Sequence, residues 1–110
     1  MKLPPDSVIA PEKISDYLLV KRPANDKSAF LALAGYTRAE PERLAQDLRR
    51  LLQSDATLLK TDRFGSTYVI RGELTGPNGT QLRVRTGWLT DLSGVTRFIT
   101  LVPDRGSRPK

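Results

Sequence analysis

Near residue 56 the hydrophobic period of this chain changes from about 3.6 to 2, and this limits the fold more than any other feature of the sequence. Before that point apolar residues recur at helical spacing. The stretch 11-PEKISDYLLV-20 reads as a first helix, with Pro11 at the first helical position and Glu12 near the positive dipole end. Ile14, Tyr17 and Leu18 form its apolar stripe, and Pro23 within 21-KRPAND-26 breaks it. Asp26 is placed to cap a second helix, 27-KSAFLALA-34, which Gly35 stops. A third, 41-PERLAQDLRRLLQ-53, buries Leu44, Leu48, Leu51 and Leu52. Its wet side is expected to carry Glu42, Arg43, Gln46, Asp47, Arg49 and Arg50.

After the switch, side chains alternate as they do on a pleated strand. Four strands are expected: 57-TLLKTDRF-64, 67-TYVIRGEL-74, 81-QLRVRTGWLT-90 and 96-TRFITLV-102. The connections are Gly65-Ser66, the Pro-Asn-Gly turn in 75-TGPNGT-80, and 91-DLSGV-95. Helices followed by a meander predict an α+β domain over residues 1–104, its N-terminal helices packed on one face of a roughly four-stranded antiparallel sheet. Residues 105–110 read as a flexible basic tail.

Alternation assigns the two faces. Tyr68, Ile70 and Leu74 of the second strand and Leu82, Val84 and Trp88 of the third point toward the helices. The open face then carries Arg71, Arg83 and Arg85, with Arg97 joining from a fourth strand whose two alternating sets are both partly apolar. Glu73 can pair with one of these arginines. Guanidinium forks match phosphate geometry, and the chain holds 18 Lys and Arg against 12 Asp and Glu, a net charge of +6. The face therefore suits a polyanion such as nucleic acid, although a merely solvated strand surface has the same composition. Trp88 is either a core anchor or a platform for stacking a base.

The chain has neither cysteine nor histidine, which removes disulfides, thiolate chemistry, the usual general base near neutral pH and the usual transition-metal ligands. Glycine-rich phosphate loops and paired-Asp metal spacings are missing too, so no cofactor and no metal are expected. No apolar run reaches the ~20 residues of a membrane span, and no signal-peptide core stands at the start. A soluble cytoplasmic protein is the expectation; the same features fit a toxin module carried within something larger.

The stretches 2-KLP-4, 12-EKISDYLL-19, 27-KSAFLALAGY-36, 65-GSTYVIRGEL-74, 77-PNG-79, 83-RVRTGWL-89 and 97-RFITLVP-103 together resemble an uncharacterised family of small bacterial proteins. Its members occur alone beside a small partner gene or as C-terminal domains of polymorphic toxins. The element order is similar to the ribonuclease-toxin fold of barnase, EndoU, colicin D and RelE-type toxins. That resemblance implies an open sheet face that cuts RNA, with Lys27, Arg85, Thr86 and Thr100 at the catalytic positions and Arg71, Arg83, Arg97 and Trp88 in nucleic-acid binding. It also implies a small acidic antitoxin or immunity protein as partner. Val102 stands where the family's Thr-x-Tyr-Pro has tyrosine. On position alone Lys27 is also a surface lysine, and Thr86 and Thr100 ordinary strand residues; alternation puts Thr86 on the core side. Two other readings remain: a non-catalytic nucleic-acid-binding domain, and a protein-interaction module of antitoxin or immunity type that docks an acidic partner.

Overall fold

The computed structural model describes residues 1–19 and 27–104. The break at 21–26, the Asp26 cap and the 105–110 tail lie outside the described residues. The order is α1 (Pro11–Lys13, running on as a π-helical turn over Ile14–Leu18), α2 (Ser28–Ala32), α3 (Pro41–Leu51), then β1 (Thr57–Asp62), β2 (Gly65–Thr75), β3 (Gln81–Asp91) and β4 (Thr96–Pro103). The strands form one antiparallel meander, β1-β2-β3-β4. The α+β architecture read from the sequence is the one observed.

The core lies between the helices and one sheet face. Leu44, Leu48, Leu51 and Leu52 are buried with Ile14, Leu18 and Leu31 against Ile70, Leu74, Leu82, Val84, Trp88, Phe98 and Leu101. Burying a side chain of this size contributes about 1.5–3 kcal/mol. Trp88 and Phe98 meet edge to face with ring centroids 5.4 Å apart.

Two sequence expectations are corrected. The first hairpin turns at Arg63–Phe64, not at Gly65-Ser66, because the Asp62 carboxylate accepts the Phe64 amide at 2.9 Å and closes the turn there. Gly65 instead begins β2 at φ +133, and a Cβ there would run into the Thr90 carbonyl of β3. Asp47, expected on the wet side of α3, is buried. It accepts hydrogen bonds from the Tyr36 hydroxyl at 2.6 Å and the Arg43 guanidinium at 3.0 Å, while Arg50 lies 3.5 Å away. Burial, reinforced by the hydrogen bond to Asp47, raises the Tyr36 pKa well above the ordinary phenol value.

The ambiguity of β4 has a local cause. Gly87 pairs with Thr100 but Trp88 pairs with Phe98, so Ile99 is the extra residue of a β-bulge. The bulge changes the phase of alternation: Phe98 and Leu101 both face the core, and Thr100 and Val102 lie opposite Gly87 and Arg85 on the other face. Beside the bulge, Val8 bridges to the outer edge of β4, its amide donating to the Thr96 carbonyl and its carbonyl accepting from Phe98, each at 2.8 Å. The N-terminal segment thus reaches α1 from alongside β4. Among the described residues, no helix is long and apolar enough to cross a membrane.

Candidate functional site

The sheet face turned away from the core is concave and holds a cavity of about 820 Å³. Val69, Ile99 and Val102 give it apolar walls, and Gly87 contributes bare backbone between Val69 and Thr100. A Cβ at Gly87 would approach the Thr100 methyl to 3.3 Å, so glycine keeps this floor open. Arg71 and Arg85, directly paired across β2 and β3, line the same cavity, as does Thr100.

The four open-face arginines are not equivalent. Arg83 lies 3.8 Å from Glu73, Arg71 lies 3.9 Å from Asp104, and Arg97 donates to Asp91 at 3.0 Å. Arg97 pairs with Leu89, beyond Gly87, and does not line the cavity. The Arg85 guanidinium alone of the four makes no ion pair or hydrogen bond with another described residue. An unneutralised guanidinium in a concave wall favours an anion.

A second set of polar groups meets at Thr100, on the edge of this cavity. The bulge at Ile99 sets the direction of Thr100, the π-helical turn carries Tyr17, and Lys27 occupies the N-cap of α2. The Lys27 ammonium donates to the Tyr17 hydroxyl at 2.8 Å, and that hydroxyl lies 3.2 Å from the Thr100 hydroxyl. Lys27 and Lys13 also stand over the Tyr17 ring, 4.9 and 5.5 Å from its centroid. The hydrogen bonds from Lys27 and then Thr100 hold the Tyr17 pKa below the ordinary phenol value, against the opposing effect of partial burial. The arrangement can neutralise a bound phosphate at Arg85 and can hold a proton, or its loss, at Tyr17.

Residues 5–105 match the domain of unknown function DUF6883. The chain belongs to that family. No curated protein matches it. Among solved structures it is similar to a chain of the contact-dependent growth inhibition toxin–immunity protein complex from Klebsiella pneumoniae 342, at 22% identity and a TM-score of 0.71, covering 89% of this chain and 100% of that one. The likeness is one of fold.

Of the expected site residues, Lys27, Arg85 and Thr100 are drawn to the cavity or to its polar cluster, and Arg71 lines it beside Arg85. The other four do not join them: Arg83 and Arg97 do not line the cavity, and Thr86 and Trp88 are turned into the core. Thr86 borders the cavity but is fully buried, and its hydroxyl donates to the Ile70 carbonyl at 3.0 Å and accepts the Trp88 indole N–H at 2.8 Å. Both hydrogen-bonding roles of that hydroxyl are used inside the core. Trp88 is fully buried too, so its ring offers no stacking face to solvent. Tyr17 packs against the core, as its place in the apolar stripe of the first helix predicts, but sequence reasoning missed the role of its hydroxyl, because nothing local could reveal partners 10 and 83 residues away.

Proposed function

We propose that this chain is a metal-independent endoribonuclease of the bacterial toxin type, cutting RNA by attack of a ribose 2′-hydroxyl on the adjacent phosphate. The observation that carries the reading is the Arg85 guanidinium, unpaired among the described residues, in the cavity beside Thr100, itself joined through Tyr17 to Lys27. Such a reaction needs the phosphate positioned, the extra charge of the phosphorane neutralised, and two protons moved. Arg85 meets the second need and Thr100 orients a phosphate oxygen. Arg71 supplies further positive charge, partly offset by Asp104. The apolar walls at Val69, Ile99 and Val102 suit a base or ribose flanking that phosphate.

The fold's similarity to a chain of a toxin–immunity protein complex supports a toxin, or an immunity protein, and hence a protein partner. For a toxin of net charge +6 the partner is a small acidic protein covering the arginine face in the cytoplasm, with charge complementarity speeding the encounter. A second reading, an immunity-like interaction module, is favoured by one fact: three of the four open-face arginines already have acids beside them, which lessens the pull on RNA. Expression in a bacterial host without a cognate partner separates the two, since a toxin arrests growth. Purified protein incubated with tRNA, mRNA and ribosome-bound RNA tests the chemistry. Fragments ending in 2′,3′-cyclic phosphate and 5′-hydroxyl support the ribonuclease; intact RNA in every case removes it.

A further inference from the structure

The geometry points to Tyr17 as the general acid of this site: its phenol protonates the departing 5′-oxygen, with Lys27 and Thr100 holding the resulting phenolate. The inference rests on the ribonuclease reading and adds a catalytic residue to it. Tyr17 comes from the π-helical turn after α1, and such turns insert one extra residue and re-aim the side chains around it. Its hydroxyl stands 3.2 Å from Thr100, a residue of the cavity lining, so a substrate phosphate bound at Thr100 and Arg85 lies within reach of the phenol.

What faces the phenol decides its role. Lys27 from α2 donates to its oxygen, Lys13 from α1 lies over its ring, and the Thr100 hydroxyl of β4 adjoins it. Asp16, the neighbouring acid on the same turn, is engaged by Arg38 at 3.3 Å. Among the described residues two ammonium groups and a hydroxyl surround the phenol; such a phenol loses its proton more readily than a free one, and the shift of its pKa agrees in direction. A general acid of this kind starts from the protonated phenol and delivers that proton in the step.

The 2′-oxygen–phosphorus bond forms and the phosphorus–5′-oxygen bond breaks. The 2′-hydroxyl proton passes to solvent water, the Tyr17 proton passes to the 5′-oxygen, and the phenolate regains a proton from water through the Lys27 side. Arg85 neutralises the phosphorane throughout. Lys27 is then a positioning residue, and removing its charge acts through Tyr17.

The test uses the RNA position that wild-type protein cuts, synthesised once with the natural 5′-oxygen and once with a bridging 5′-sulfur, a leaving group that needs no proton. Tyr17→Phe is expected to slow cleavage of the oxygen substrate by roughly 10²–10⁴-fold and to cut the sulfur substrate within a few-fold of wild type. Lys27→Met is expected to show the same pattern more weakly, and to move the earliest phenol ionisation, followed by ultraviolet difference absorption, to higher pH. Equal losses on both substrates make Tyr17 a structural residue, and no loss on either makes it a bystander; each overturns the inference while leaving the ribonuclease standing. If wild-type protein cuts no RNA, the reading beneath the inference fails first.

Discussion

Replacing Thr86 by valine exchanges a hydroxyl for a methyl in a fully buried position between β2 and Trp88. Shape is nearly conserved and hydrogen bonding is not. The Trp88 indole N–H, held at 2.8 Å, loses its acceptor in a place water does not reach, and the Ile70 carbonyl loses a donor at 3.0 Å. An orphaned buried polar group costs about 1–3 kcal/mol, and the indole is the more severe case because it has no other partner among the described residues. At roughly 4–8 °C of Tm per kcal/mol for a domain of this size, Thr86→Val should melt some 5–20 °C below wild type, with Thr86→Ser intermediate. Thermal melts followed by circular dichroism and by Trp88 fluorescence give the number. Because the hydroxyl is spent in the core, cleavage measured well below the melting point should change little. A Thr86→Val protein that melts with wild type yet loses cleavage would refute this reasoning and return Thr86 to the catalytic set.

The arginines predict a contrast: Arg85→Ala should lower cleavage roughly 10²–10³-fold, whereas Arg83→Ala, which removes an exposed pair with Glu73, should change stability by less than about 1 kcal/mol. Asp47→Ala should cost about 1–3 kcal/mol in urea titrations, since it strands the buried Tyr36 hydroxyl. The Tyr36 pKa is raised above its ordinary value of 10.0, so its stabilising contribution is intact below pH 10 and is lost as pH rises further, by at most about 1.4 kcal/mol per pH unit. Tyr36→Phe should flatten that alkaline decline relative to wild type in stability measured from pH 9 upward.

How much of this was legible in the sequence depended on the distance over which each signal acts. The period switch near residue 56, the leucine stripe of α3 and the alternation of β2 and β3 are local patterns, and the sheet and core follow from them. Asp47 was misplaced because helical periodicity puts it among charged neighbours, while its burial comes from Tyr36, 11 residues earlier on another segment. The phase of β4 was undecided because a bulge at Ile99 supplies both answers, Phe98 inward before it and Leu101 inward after it. Trp88 followed its alternation into the core, leaving no ring for a base. Arg85 could not be told from Arg71, Arg83 and Arg97 by type or spacing. Its difference is that Glu73, Asp104 and Asp91 each sit beside one of the others.

The most direct measurement is a map of RNA 5′-hydroxyl ends in bacteria expressing this chain, set against cells expressing Arg85→Ala at the same folded level. Discrete new ends with wild-type protein, lost with the Arg85 variant, are the predicted result. A map indistinguishable from uninduced cells, or one that the Arg85 variant reproduces in full, contradicts the account.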